Sequence, residues 1–252
     1  MAQPSPRSTG EAKPAGGTSD IITMSDVRFC WPGPHSFLMA IDEFVLPARQ
    51  RVLLTGPSGA GKSTFLSLLC GIVAPLSGRL EVLGTDTATL SNAMRDHFRA
   101  EHFGIIFQMF NLLPYGSVID NVLLPLSFAR KRRERASQNG SVEEEAGRLL
   151  ASLGLEAGDL YGMSTANLSV GQQQRVAAAR ALIGRPEIIV ADEPTSSLDR
   201  NRQDAFLDLL FAEANAAGAS VIMVSHEEAL GCHFDRVLRL DDVAVTTRST
   251  AV

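Results

Sequence analysis

Four short apolar runs mark this chain: Val52-Leu53-Leu54, Gly104-Ile105-Ile106-Phe107, Ile188-Ile189-Val190-Ala191 and Val221-Ile222-Met223-Val224. Each is too short for a buried helix, and each is bounded by polar or turn residues, as expected of strands covered on both faces in a parallel sheet. Between them the apolar positions recur at helical spacing. Phe65, Leu66, Leu68 and Leu69 form one such stripe, and Leu149, Leu150 and Leu153 form another within residues 142–155. An alanine-rich stretch runs to Ile183, and Phe206, Leu207, Leu209, Leu210 and Phe211 make a fourth stripe. Residues 21–46 alternate instead, with Pro32, Gly33 and Pro34 between them, which predicts two antiparallel strands and a turn. Leu80 and Val82, closed by Gly84, extend that layer, and residues 236–245 read as a closing pair of short strands around Asp241-Asp242. Strands alternating with helices predict an α/β fold with an added antiparallel β layer.

The first apolar run leads into Gly56-Pro57-Ser58-Gly59-Ala60-Gly61-Lys62-Ser63-Thr64 and then into a helical stripe. Glycines at these places let consecutive N–H groups turn inward without Cβ clashes, Lys62 adds a mobile positive charge and Ser63 offers a hydroxyl to Mg²⁺. The stretch therefore reads as a P-loop: a strand, a phosphate cradle and a helix N-terminus whose dipole favours anions. Three other runs end on polar side chains, Gln108, Asp192-Glu193 and Ser225-His226. Ligands of parallel sheets bind at such carboxyl ends, so Gln108 could reach Mg²⁺ or a water near the γ-phosphate, and His226 arrives at the same edge as Asp192. Of two adjacent acids beside a triphosphate, the first can hold Mg²⁺ and the second can orient and deprotonate the attacking water. Ser169 followed three residues later by Gln172 is a capping-box pattern, which predicts a second helix N-terminus suited to an anion. Asp199 closes a short polar loop before another helix. Trp31, the only tryptophan, falls at the first turn, where its ring could stack on a flat base.

Composition narrows the partners. With 252 residues, 45% of them hydrophobic, the chain suits one α/β domain carrying a subdomain. A net charge of −5 offers no global attraction to nucleic acid or an anionic membrane surface. The run Arg130-Lys131-Arg132-Arg133 is answered by Glu143-Glu144-Glu145 and reads as solvated, inside a helical insertion. Cys30, Cys70 and Cys232 make no Cys-x-x-Cys, so neither a disulfide framework nor a zinc site is indicated and a reducing cytosol fits. No apolar stretch reaches the roughly 18 residues of a membrane span, and residues 1–20, rich in Pro, Gly, Ser and Thr, are expected to form a disordered tail.

These residues together resemble the ATP-binding subunit of an ABC transporter, over residues 21–245. The most specific feature is Leu168-Ser169-Val170-Gly171-Gln172, similar to the family's Leu-Ser-Gly-Gly-Gln signature, with Val170 in place of its first glycine. The resemblance implies the ABC ATPase fold: a RecA-like P-loop core, an antiparallel β layer, and a helical subdomain over about residues 88–165, followed by a C-terminal tail from 246. It implies ATP and Mg²⁺ as cofactors. Trp31 would be the adenine platform, Gly56 to Thr64 the phosphate cradle, and Gln108 the link between Mg²⁺ and the helical subdomain. Asp192 would hold Mg²⁺ with Ser63, Glu193 would be the general base, and His226 would meet the γ-phosphate. Ser169 and Gly171 would contact the ATP held by a second copy in a head-to-tail dimer, with Gln172 in the same nucleotide-binding set, and Asp199 would lie in the loop that crosses the dimer interface. A narrower resemblance, to the lipoprotein-release, macrolide-export and cell-division branch typified by LolD, MacB and FtsE, rests on residues 107–114 with Asn121-Val122 and Leu124-Pro125-Leu126. It implies a cytoplasmic subunit held at the inner face of the membrane by a separate permease, working in export or mechanotransmission. A regulatory ATPase without transported cargo is one alternative, disfavoured as a non-hydrolysing scaffold because Lys62, Asp192, Glu193 and His226 are all present, and a soluble ABC ATPase acting on DNA or ribosomes is the competing class. Those resemble tandem cassettes or carry a long coiled coil between P-loop and signature, and this chain has one cassette and a modest insertion.

Overall fold

The computed structural model describes residues 20–33, 36–155 and 161–248. The N-terminal tail expected over 1–20 lies outside these residues, except for Asp20, which begins the first strand.

Two sheets carry the fold. In the antiparallel one, β1 (Asp20–Trp31) and β2 (Phe37–Pro47) alternate as the sequence does, burying Ile22, Met24, Val27 and Phe29 on one strand and Met39, Ile41, Phe44 and Leu46 on the other. With β4 (Ser77–Val82), β5 (Thr85–Asp86) and β10 (Val245–Arg248) the order is β10-β2-β1-β4-β5. The second sheet is parallel and holds β3 (Arg51–Thr55), β6 (Phe103–Ile106), β7 (Ile188–Asp192), β8 (Ser220–Ser225) and β9 (Arg236–Arg239), in the order β6-β7-β8-β3-β9. Successive residues of each parallel strand point to opposite faces, which explains the unbroken apolar runs. Val52, Leu54, Ile188, Val190, Ile222 and Val224 pack toward the antiparallel sheet and the helix α1 (Lys62–Leu69). Leu53, Ile189, Ala191, Val221 and Met223 pack on the other face, against the remaining helices.

Five of those helices begin at the caps their sequences carry. Ser91 caps α2 (Asn92–His102), and reciprocal capping boxes start α3 (Val118–Leu123) at Ser117 and α5 (Val142–Ser152) at Ser141. After α4 (Arg130–Ala136) and α5, a capping box at Ser169 starts α6 (Val170–Leu182), and Asp199 caps α7 (Arg200–Ala217). Gly218, at φ 70°, ends α7 in the left-handed conformation that glycine adopts at least cost.

Three expectations change. The strands read at 236–245 do not pair with each other: β9 joins the parallel sheet beside β3, a short helix α8 (Leu240–Val243) follows, and β10 joins the antiparallel sheet beside β2. Fully buried Leu240 marks the crossing point, and the ordered strand runs to Arg248, past the tail boundary at 246. The basic run is not wholly solvated either. Arg132 is 2% exposed and donates to the carbonyls of Ala100, Phe103, Arg180, Ala181 and Ile183, at the ends of α2 and α6. These carbonyls lack helical partners, so a forked donor is the group that satisfies them. Finally, β6 stops at Ile106, which places Gln108 in the turn beyond the strand.

Candidate functional site

The P-loop joins β3 to α1 at the carboxyl edge of the parallel sheet. Gly59 (φ 78°) and Gly61 (φ 112°) are left-handed, and a Cβ on Gly61 would lie 2.6 Å from the Phe37 ring, so only glycine fits there. Ala60 N–H closes the turn on the Pro57 carbonyl at 3.2 Å. No side chain caps α1 and its first turn holds no acid, which leaves the N–H groups at Lys62, Ser63 and Thr64 free of capping side chains, as an anion site requires. Lys62 is 6% exposed, and its ammonium donates to the carbonyls of Gly56 (2.8 Å) and Pro57 (3.1 Å).

Beside the loop, Trp31 ends β1 with 44% of its surface open. Its indole N–H donates to Thr64 Oγ1 at 3.3 Å, and its ring stands edge-on to Phe29 at 5.0 Å. The ring is thereby fixed against the start of α1, half buried and half available, which suits an aromatic surface for stacking.

The acidic pair follows β7. Glu193 adopts φ 45° with its N–H on the Val224 carbonyl at 3.0 Å, a left-handed conformation that a glutamate holds only where its surroundings enforce it. Its carboxylate reaches in two directions, to Lys62 Nζ at 3.5 Å and to His226 Nδ1 at 3.2 Å. Three sequence-predicted residues thus meet in one chain of polar contacts. Burial raises the Asp192 pKa; the Ser63 hydroxyl and Lys62 oppose the shift, and Glu193 adds to it. Gln108 is exposed in the turn after β6, and among the described residues its side chain makes no hydrogen bond to Ser63, Asp192 or Glu193.

The remaining predicted residues stand apart from this cluster. Ser169 Oγ accepts the Gln172 N–H at 3.3 Å, and Gln172 Oε1 accepts the Ser169 N–H at 2.9 Å. Val170 is 52% exposed, and a Cβ on Gly171 would meet nothing within 4 Å, so nothing among the described residues requires glycine there. Asp199 accepts from the Arg202 N–H at 3.1 Å and pairs with its guanidinium. Among the described residues no hydrogen bond joins Ser169, Gly171, Gln172 or Asp199 to the P-loop.

Sequence reasoning passed over the groups that connect these parts. Gln174 donates from α6 to the Pro194 carbonyl at 2.9 Å, next to Glu193. Gln203 donates from α7 to Thr195 O (3.2 Å) and Glu227 Oε1 (3.0 Å), beside His226. Arg180 donates to Phe110 O and Asn111 O (2.7 Å), fixing the turn after Gln108. Gln174 carries a readable signal, since it falls on one buried face of α6 with Ala177, Ala178 and Ala181, and Arg180 follows buried Val176 and Ala177 at helical spacing. Gln203 carries a weaker one, three residues ahead of Phe206.

Comparison with known proteins agrees with this geometry. The profile of the ABC transporter family matches residues 41–196. The chain is 40% identical over 198 residues to the uncharacterized ABC transporter ATP-binding protein YbbA of Escherichia coli (strain K12), covering 79% of this chain and 83% of that one. It is 39% identical over 191 residues to the lipoprotein-releasing system ATP-binding protein LolD of Novosphingobium aromaticivorans, covering 76% and 82%. The fold superposes on the ATP-binding cassette MJ0796, in a dimeric post-hydrolysis state bound to ADP and Pi, with TM-score 0.71 and 29% identity over 86% of this chain and 93% of that one. With its P-loop, its paired carboxylates and its signature helix set on this fold, the chain belongs to the ABC transporter family, as an ATP-binding and ATP-hydrolysing cassette.

Proposed function

We propose that this chain is the ATPase subunit of an ABC transporter of the lipoprotein-release and macrolide-export type, and that it dimerises on ATP to move a separate membrane permease. The observation that carries the reading is the Glu193 carboxylate suspended between Lys62 and His226 at the mouth of the P-loop. A water attacking the γ-phosphate needs an acceptor for its proton, and Glu193 is the acid so placed. Lys62 and the backbone N–H groups within residues 58–64 hold the phosphates, and Trp31 stacks on the adenine. His226 holds the γ-phosphate and steadies Glu193 through its ring nitrogen.

The donors near Glu193 fit a hard divalent cation, because the Ser63 hydroxyl faces the Asp192 carboxylate and both offer oxygen. Ser63 and Asp192, with Gln108, would hold Mg²⁺, which would neutralise charge on the β- and γ-phosphates.

The other half of the site is assigned to a second copy. Ser169, Gly171 and Gln172 open a helix N-terminus that makes no hydrogen bond to this chain's own P-loop, and Gly171 is free of internal crowding. A phosphate held by a partner gives both features a purpose. Each nucleotide would then touch the P-loop of one copy and the signature of the other, so ATP binding favours the closed dimer and hydrolysis reopens it. No helix among the described residues is long and apolar enough to cross a membrane. The membrane-spanning part is assigned to a separate permease, to which this subunit delivers its motion.

Glu193→Gln tests the chemical assignment. Steady-state hydrolysis should fall by about 10²–10⁴-fold while ATP affinity is retained. Undiminished turnover would refute the role given to Glu193.

A further inference from the structure

The C-terminal strand reaches the P-loop from outside. β10 pairs with β2 so that Arg248 stands opposite Phe37, the residue whose ring closes the space at Gly61. The Arg248 guanidinium lies over that ring, 5.6 Å from its centroid, and donates to the Gly59 carbonyl. A Cβ on Gly59 would stand 3.5 Å from Arg248 Nη2, so the loop and the guanidinium are in direct contact.

The peptide that Arg248 grips is rigid. Gly59 C=O and Ala60 N–H belong to one plane, and the N–H end already closes the turn on Pro57 at 3.2 Å. Holding both ends fixes the orientation of that peptide. Lys62 holds the carbonyls of Gly56 and Pro57 from inside the loop. Arg248 holds the third carbonyl from outside, and it leaves a positive charge beside a loop that receives a polyanion.

We infer that Arg248 is a positioning residue for the nucleotide: β10 straps the P-loop into its phosphate-binding shape, and ATP affinity depends on the C-terminal strand. The proposal rests on the P-loop being the ATP site. It predicts an effect on binding, because Arg248 contacts the cradle and, among the described residues, makes no hydrogen bond or ion pair with Glu193 or His226. The contact is exposed, so its effect is that of a screened charge-assisted hydrogen bond.

The test compares wild type, Arg248→Met, which keeps the packing on Phe37, and Arg248→Lys, which keeps charge and donor. KM for ATP and the Kd of a fluorescent ATP analogue should rise together by about three- to tenfold in R248M, with kcat within about twofold of wild type, and R248K should recover most of the loss. An unchanged KM in R248M overturns the proposal, as does a fall in kcat alone. A KM rise that R248K does not relieve also overturns it, since lost packing gives that pattern. If wild type itself fails to bind the analogue, the ATP-site reading fails and not the strap alone.

Discussion

Glu193 holds a left-handed backbone, a conformation that costs an L-residue about 1–2 kcal/mol. The N–H bond to Val224, the ammonium of Lys62 and the ring of His226 hold it there. Its neighbour Asp192 carries a second cost. Burial raises its pKa, so the fold prefers the neutral carboxyl, and the ionised form weakens stability at neutral pH. The sign follows: the cost is present at pH 7 and fades as pH falls through the raised pKa. Asp192→Asn should therefore melt at a higher temperature than wild type at pH 7 without nucleotide, with the gap closing toward acidic pH, and it should lose ATP hydrolysis. A lower melting temperature for D192N at pH 7 would contradict this account. The identities of Lys62, Asp192, Glu193 and His226 as site candidates were legible in the sequence because each ends a buried strand or opens α1. The strain at Glu193 was not, since the motif Asp-Glu-Pro does not reveal which backbone region the glutamate occupies.

At the scale of elements, α6 links the parts of the site. A capping box fixes its N-terminus, Arg180 in its last turn ties it to the turn after Gln108, and Arg132 satisfies the carbonyls at its end. Burial pushes the Arg132 pKa down to about 10, which still leaves the guanidinium charged at neutral pH and held by backbone dipoles. Removing it strands several buried acceptors, so Arg132→Ala should lower unfolding stability by about 3 kcal/mol or more in urea titration. Exposed Arg130, on the opposite face of α4 and paired among the described residues with Glu134, should change stability far less when replaced by alanine. Equal losses in the two variants would remove the special place given to Arg132. Its burial was readable in principle. Ala129, Arg132 and Ala136 repeat at helical spacing and are all buried, but the run of four basic residues hid that stripe behind its charge.

The whole molecule divides its labour between two sheets. The parallel sheet delivers the chemistry to one edge, while the antiparallel sheet supplies Trp31, the Phe37 wall and the Arg248 strap. The parallel strands were legible because both faces are covered and the apolar runs are unbroken. The partition of β9 and β10 between sheets was not, because four-residue strands carry too little pattern to choose a partner and only buried Leu240 marks the crossing. The signature residues Ser169 to Gln172 and the P-loop lie in one chain yet share no hydrogen bond, and this separation is the main physical reason for expecting a composite site.

That expectation is tested most directly by the molar mass of Glu193→Gln in solution, read by light scattering with and without ATP and Mg²⁺. The account predicts a monomer near 27.0 kDa without nucleotide, a doubling of that mass with ATP, and loss of the doubling when Ser169→Arg is added. A mass that stays at the monomer value under saturating ATP, or a dimer indifferent to Ser169→Arg, would contradict it.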